Sequence, residues 1–120
     1  MHENSLPNND RDDFGAVPTS VIDKIFFPSP QEIWKVADAH GWHNPPCDLP
    51  TDLLLIHSEV SEACEGLRRG DMENVGEELA DVIIRVLHVC AKHKIPIGAI
   101  VAKKHEKNKQ RPYRHGGKLF

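Results

Sequence analysis

The stretch TDLLLIHSEVSEACEGLRRGDMENVGEELADVIIRVLHVCAKHK (residues 51–94) decides the fold. Apolar residues recur at helical spacing on both sides of Arg69-Gly70-Asp71, where glycine supplies a stop and aspartate a fresh cap. Two helices joined by so short a turn fold back as an antiparallel pair. Each arm carries an acidic pair, Glu59 with Glu62 and Glu78 with Asp81, and the midpoints of the two pairs lie equally far from Gly70. At roughly 1.5 Å of rise per residue, the pairs face each other at one height to within about 2 Å. Spacing of i, i+3 within each pair puts both side chains on one helix face, with Cβ atoms about 5 to 6 Å apart. Four carboxylates therefore converge.

Their neighbours read as apolar. Leu53, Leu54, Leu55, Ile56, Val60, Ala63, Cys64 and Leu67 flank the first pair, and Leu79, Ala80, Val82, Ile83, Ile84, Val86, Leu87, Val89 and Cys90 flank the second. A helix apolar around most of its circumference is expected at the centre of a bundle. Burying an unpaired carboxylate costs several kcal/mol, so such groups protonate, pair with a base or bind a metal. Arg85, one turn after Asp81, neutralises one of the four at most. A divalent cation is the simplest account, and an all-carboxylate shell suits Mg²⁺, with Mn²⁺ as a substitute, better than zinc. For these residues alone, a solvated acidic face or a buried ion-pair network is the plainer alternative.

Outward from the hairpin, a first helix is expected from Ser29-Pro30 to Gly41, and the segment Trp42 to Pro50, with Asn44-Pro45-Pro46, is a loop. Thr51 or Asp52 is expected to open the second helix, running to about Arg69. Asp71 caps a third, from Met72 to about Lys94. A fourth runs from Pro96 to about Arg111, with Ile97, Ile100 and Val101 on its apolar side, and Pro112 stops it before a loop-like tail. No strand alternation stands out. The fold class is thus all-α, an antiparallel bundle of about four helices completed by oligomerisation. Residues 1–29 are polar and turn-rich and are expected to form an arm, while 30–120 form the domain. The apolar patch Val21 to Phe27 is expected to lie on the domain or on a neighbouring subunit.

The net charge is −3, which gives no global electrostatic case for nucleic acid or an anionic membrane. Neither is expected as a partner. Cys47, Cys64 and Cys90 show no C-x-x-C spacing, and the latter two sit in apolar helical patterns as expected core thiols. His40 with His43, and His88 with His93, make no ligand pair on one helix face, so a structural zinc site is not expected. No signal-peptide core or bilayer-length apolar run is present, and a cytoplasmic protein is expected.

Positive charge gathers after residue 100. Lys104, Asn108 and Arg111, at i, i+4, i+7, place an ammonium, an amide and a guanidinium in one row, which can hold a polyphosphate. Taken alone, the row is more simply a solvated basic face; a nucleic-acid surface is a third account, weakened by the acidic balance of the chain. Of the two tryptophans, Trp34 belongs to an apolar helix face and is expected in the core. Trp42, in the loop, is the candidate for stacking on a base.

E-x-x-E, fifteen residues, E-x-x-D and then K-x-x-x-N-x-x-R resemble the MazG-like all-α nucleoside triphosphate pyrophosphatases, in their single-domain form, over about Ile33 to Lys118. The resemblance implies an Mg²⁺-dependent enzyme that cleaves a (d)NTP to (d)NMP and pyrophosphate. It implies that Glu59, Glu62, Glu78 and Asp81 hold metal, that Glu59 or Glu62 helps to activate water, and that Lys104, Asn108 and Arg111 grip phosphates. A homodimer or homotetramer is implied as well. Many members carry a further Glu before the first motif glutamate; here that position is Ser58, so the resemblance does not assign the general base. A non-catalytic nucleotide- or metal-binding helical module is the alternative that Ser58 suggests.

Overall fold

The computed structural model describes residues 27–120, which form helices joined by turns, with no strand among the described residues. Four helices are long: α1 (Pro30–Ala39), α2 (Leu49–Arg68), α3 (Met72–Lys92) and α4 (Ile97–Lys109). A four-residue turn, α5 (Arg114–Gly117), follows, and positive φ at His115 and Gly116 makes it left-handed rather than a helix of length. The all-α expectation holds. The expected N-terminal arm lies, except for Phe27 to Ser29, outside the described residues.

The sequence starts the first three helices for local reasons. Ser29 caps α1 with a reciprocal box: its hydroxyl accepts from the Glu32 amide and the Glu32 carboxylate accepts from the Ser29 amide. Ser29→Ala is expected to lose both bonds and about 1 kcal/mol of stability; a urea midpoint equal to that of the parent chain would refute it. Helix α2 begins earlier than expected. Asp48 caps it by accepting from the Thr51 amide, Pro50 sits in the first turn where no amide is missed, and Asp52 is left free for another partner. Between α2 and α3, Gly70 adopts φ +71°, a left-handed conformation that only glycine takes without strain, and Asp71 then caps α3 through the Asn74 amide.

Helix α3 lies against both α2 and α1. Side chains of Ile33, Ala63, Val89 and Cys90 are buried between them. The expectation that the hairpin helices are covered around most of their circumference is not met among the described residues: Leu53, Leu54, Val60 and Leu67 on α2 and Leu79, Ile83 and Ile84 on α3 are exposed. Two neighbours cannot cover the whole circumference of a helix. Cys64 is likewise exposed, whereas Cys90 is buried as expected. Phe27 and Pro28 line a shallow apolar groove with Ile33, Ala80, Ile83, Ile84 and Leu87, with Phe27 still exposed, and the rest of the expected apolar patch, residues 21–26, lies outside the described residues.

The apolar side expected of α4 finds no cover among the described residues, where Ile100 and Val101 are exposed and Ile97 is half-buried. The radius of gyration is 17.3 Å, against about 13 Å for a compact domain of some 100 residues. Helix α4 stands off from the core made by α1, α2 and α3.

Two fastenings tie the α1–α2 connection to α3. Lys92 donates to the Asp52 carboxylate at 2.8 Å and also to the Cys47 carbonyl. His43 meets His88, Nε2 to Nε2, at 2.7 Å. Trp34, expected in the core, is half-buried and stacked on both of these imidazoles.

Candidate functional site

Antiparallel pairing of α2 and α3 brings the two acidic pairs together. Carboxylate oxygens of Glu59, Glu78 and Asp81 lie within 4.8 Å of one another, and the three residues run from buried through half-buried to exposed. Such a donor set fits a hard divalent cation, which takes oxygen ligands from several carboxylates and keeps water on its open side. Glu62 is exposed and falls outside this tight group.

The four carboxylates are not equivalent. Glu59 is bonded by the Nε of Arg85 at 2.6 Å, and that guanidinium is the main reason its carboxyl is held below the usual range, against the opposing effect of burial. Glu62 pairs with no base among the described residues. Hydrogen bonding with Glu59 and then Glu78, together with their negative charge, pushes its carboxyl up to about 7. Asn74, one turn before Glu78, reaches the Glu78 carboxylate at 3.4 Å and is within 3.4 Å of Arg69. Gly66 permits this approach, since a Cβ there would fall 2.4 Å from the Asn74 amide oxygen.

The sign of the Glu62 shift has a consequence for stability. Its folded value is raised above 4.5 to about 7, so between these the folded chain holds a proton that the unfolded chain has lost, and stability falls as pH rises through that window. A cation among the carboxylates would reverse the preference. Binding of Mg²⁺ at pH 6 is expected to release about one proton, and at pH 8 almost none, read as the dependence of calorimetric heat on buffer ionisation enthalpy. Equal release at both pH values would contradict the assignment of Glu62 to the cluster.

The other expected site residues lie apart from the acids. Lys104, Asn108 and Arg111 are exposed on and just after α4, and Arg111 lies 3.1 Å from the His115 ring nitrogen Nδ1. Among the described residues none of the three hydrogen-bonds to an acidic cluster member. Trp42 is 76% exposed in the turn after α1, its indole free of hydrogen bonds among the described residues. Ser58 spends its hydroxyl on the Leu55 carbonyl at 2.7 Å, a helical back-bond that points to no chemistry. Sequence reasoning missed Asn74, although its i, i+4 spacing to Glu78 placed it on the right face. It also missed the His43–His88 pair, whose members belong to different elements.

Compared with known protein families, residues 50–115, more than half of the chain, match the MazG nucleotide pyrophosphohydrolase domain. The chain belongs to this family. The MazG match starts at the first turn of α2, contains both acidic pairs, the hairpin turn and the basic row, and ends in the left-handed tail. Neither the curated proteins nor the solved structures give a significant match. No helix among the described residues is long and apolar enough to cross a membrane.

Proposed function

We propose that this MazG-family chain is an Mg²⁺-dependent nucleoside triphosphate pyrophosphohydrolase, converting a (d)NTP and water to the (d)NMP and pyrophosphate. The observation that carries the reading is the convergence of Glu59, Glu78 and Asp81 from two antiparallel helices, with Glu62 beside them. Bound Mg²⁺ would supply positive charge against the triphosphate and acidify water for attack on phosphorus.

The chain's own residues divide the remaining tasks. Glu59, Glu62, Glu78 and Asp81 form the cation-holding set, with Glu59 fixed in place by Arg85. Glu62, paired with no base among the described residues, is the carboxylate that would be left to accept a proton from water once a bound cation had displaced its own. Lys104, Asn108 and Arg111 are assigned to the phosphates, and Trp42, exposed and unattached, to the base. Exposed apolar side chains on α2 and α3 support a homodimer or homotetramer, and the three free thiols suit a cytoplasmic setting.

The deciding experiment incubates the full chain with Mg²⁺ and a panel of standard and modified NTPs and dNTPs, separating nucleotides and assaying pyrophosphate against orthophosphate. Monophosphate with equimolar pyrophosphate is expected from a subset of the panel. Orthophosphate release would defeat the cleavage position. Tight nucleotide binding without turnover would favour the non-catalytic module instead.

A further inference from the structure

Three rings from three segments meet: Trp34 of α1, His43 of the α1–α2 connection and His88 of α3. The Trp34 and His43 centroids lie 3.7 Å apart with planes 23° from parallel, and Trp34 and His88 lie 5.2 Å apart at 22°. The His43 and His88 nitrogens Nε2 approach to 2.7 Å, while the His43 nitrogen Nδ1 is 3.1 Å from an Asp38 oxygen. At 2.7 Å two imidazole nitrogens have room for one hydrogen.

Asp38 fixes which of them carries it. With both rings neutral, an Asp38 carboxylate that only accepts places hydrogen on the His43 Nδ1, which leaves a lone pair at its Nε2 and makes the His88 Nε2–H the donor. Both rings are neutral in this arrangement. One added proton can sit on the His88 Nδ1 and leaves the facing bond intact; protonation of both rings puts hydrogens on both facing nitrogens and positive charge on two stacked rings, and the bond cannot survive that.

We propose that the His43–His88 hydrogen bond is a proton-sensitive latch, closed while at least one of the two rings is neutral and opened when both are protonated, that controls how firmly residues 40–48 lie against α3. The surroundings favour the closed form at neutral pH. Burial is the main cause that lowers the His88 pKa; His43, Lys92 and Arg85 act in the same direction, and Asp52 opposes them. The charged groups facing the pair are thus Asp38 from α1, Asp52 from α2, and Arg85 and Lys92 from α3, with Arg85 occupied by Glu59 and Lys92 by Asp52. Lys92 also holds the Cys47 carbonyl, so opening loosens one end of the connection and leaves the other fastened. Trp42 precedes His43 directly and moves with the loosened end. The latch stands independently of the reading of the acidic cluster.

The sign follows from the lowered value: the unfolded imidazole charges near 6.5 while the folded one resists, so the latch stabilises the fold above that range and loses its contribution as pH falls. The test is hydrogen–deuterium exchange of amides 40–48 in the full chain at pH 7.5 and pH 5, corrected for intrinsic rates. Protection is expected to be lower at pH 5 than at pH 7.5 and, because two protons open the bond, to fall by more than about tenfold per pH unit once both rings titrate. His88→Gln keeps a neutral N–H donor at every pH and is expected to abolish the pH response while retaining protection. His43→Leu is expected to lose protection at both pH values. Ring ¹⁵N spectra provide a readout that does not depend on either variant folding, with Nδ1–H on His43 and Nε2–H on His88 expected at pH 7.5. Two uncoupled histidine titrations, or pH-independent protection in the unsubstituted chain, would overturn the latch.

Discussion

Replacing Asp81 by Asn is expected to reduce turnover of the best triphosphate by more than about a hundredfold while leaving the melting temperature unchanged or slightly higher. The first half follows from its place in the carboxylate group, where its oxygen lies within 4.8 Å of those of Glu59 and Glu78. Loss of a residue that merely orients a ligand already costs about 10- to 100-fold in metal affinity, so loss of a ligand costs more. The second half follows from the setting of Asp81, which is exposed beside other carboxylates: removing one of several like charges relieves repulsion without opening a cavity. Activity and stability should therefore move in different directions, as they do where a site is strained for function. Calorimetric Mg²⁺ titration and a thermal melt of the same preparation check both halves. Glu73→Gln, which neutralises an exposed acid on α3 outside the cluster, is the control and is expected to retain full activity. An Asp81→Asn chain that kept parental affinity for Mg²⁺ would remove Asp81 from the metal set.

Lys92→Met should have the largest effect on stability, about 3 kcal/mol. Lys92 holds the Asp52 carboxylate, which is only 6% exposed, and the Cys47 carbonyl at the same time. Removing one member of a buried pair leaves an uncompensated charge, typically at a cost of 3 to 5 kcal/mol; partial exposure of the Lys92 side chain brings that towards the lower end. For a domain of this size the loss corresponds to a fall in Tm of roughly 15 °C. Asp52→Leu in the same chain is expected to recover most of it, because an apolar pair of similar volume leaves no charge stranded. A single variant melting within a few degrees of the parent, at equal protein concentration, would show that the pair is not structural.

How much of this was legible beforehand depended on whether a contact lay within one helix or was fixed by the hairpin. Helix existence followed from periodicity and caps, and the acidic convergence followed from two spacings and one turn. Asp52 and His88 are also equally far from Gly70, so their nearness, and that of Lys92 one turn on, could have been read from the same symmetry. The start of α2 was misread because Thr51 and Asp52 are both good caps; burial of Asp52 against Lys92 decided in favour of Asp48. The path of residues 40–48 was not legible at all. It is set by His43 and Cys47 reaching a helix forty-five residues away, and no local pattern encodes such a meeting. The position of α4 was illegible for a different reason: apolar residues at helical spacing announce a face and not its partner.

The equal reach of the two acidic pairs from Gly70 also restricts how this chain can change in length. One residue inserted between Glu62 and Arg68 would turn the first pair by about 100° about its axis and shift it about 1.5 Å, carrying both carboxylates off the shared face. An insertion of seven residues restores the direction to within about 20°, yet lifts the pair two turns out of register unless the opposite arm grows by the same amount. Viable length variants of this hairpin should therefore gain or lose residues in matched sevens on α2 and α3, whereas single insertions should be tolerated only outside residues 59–81.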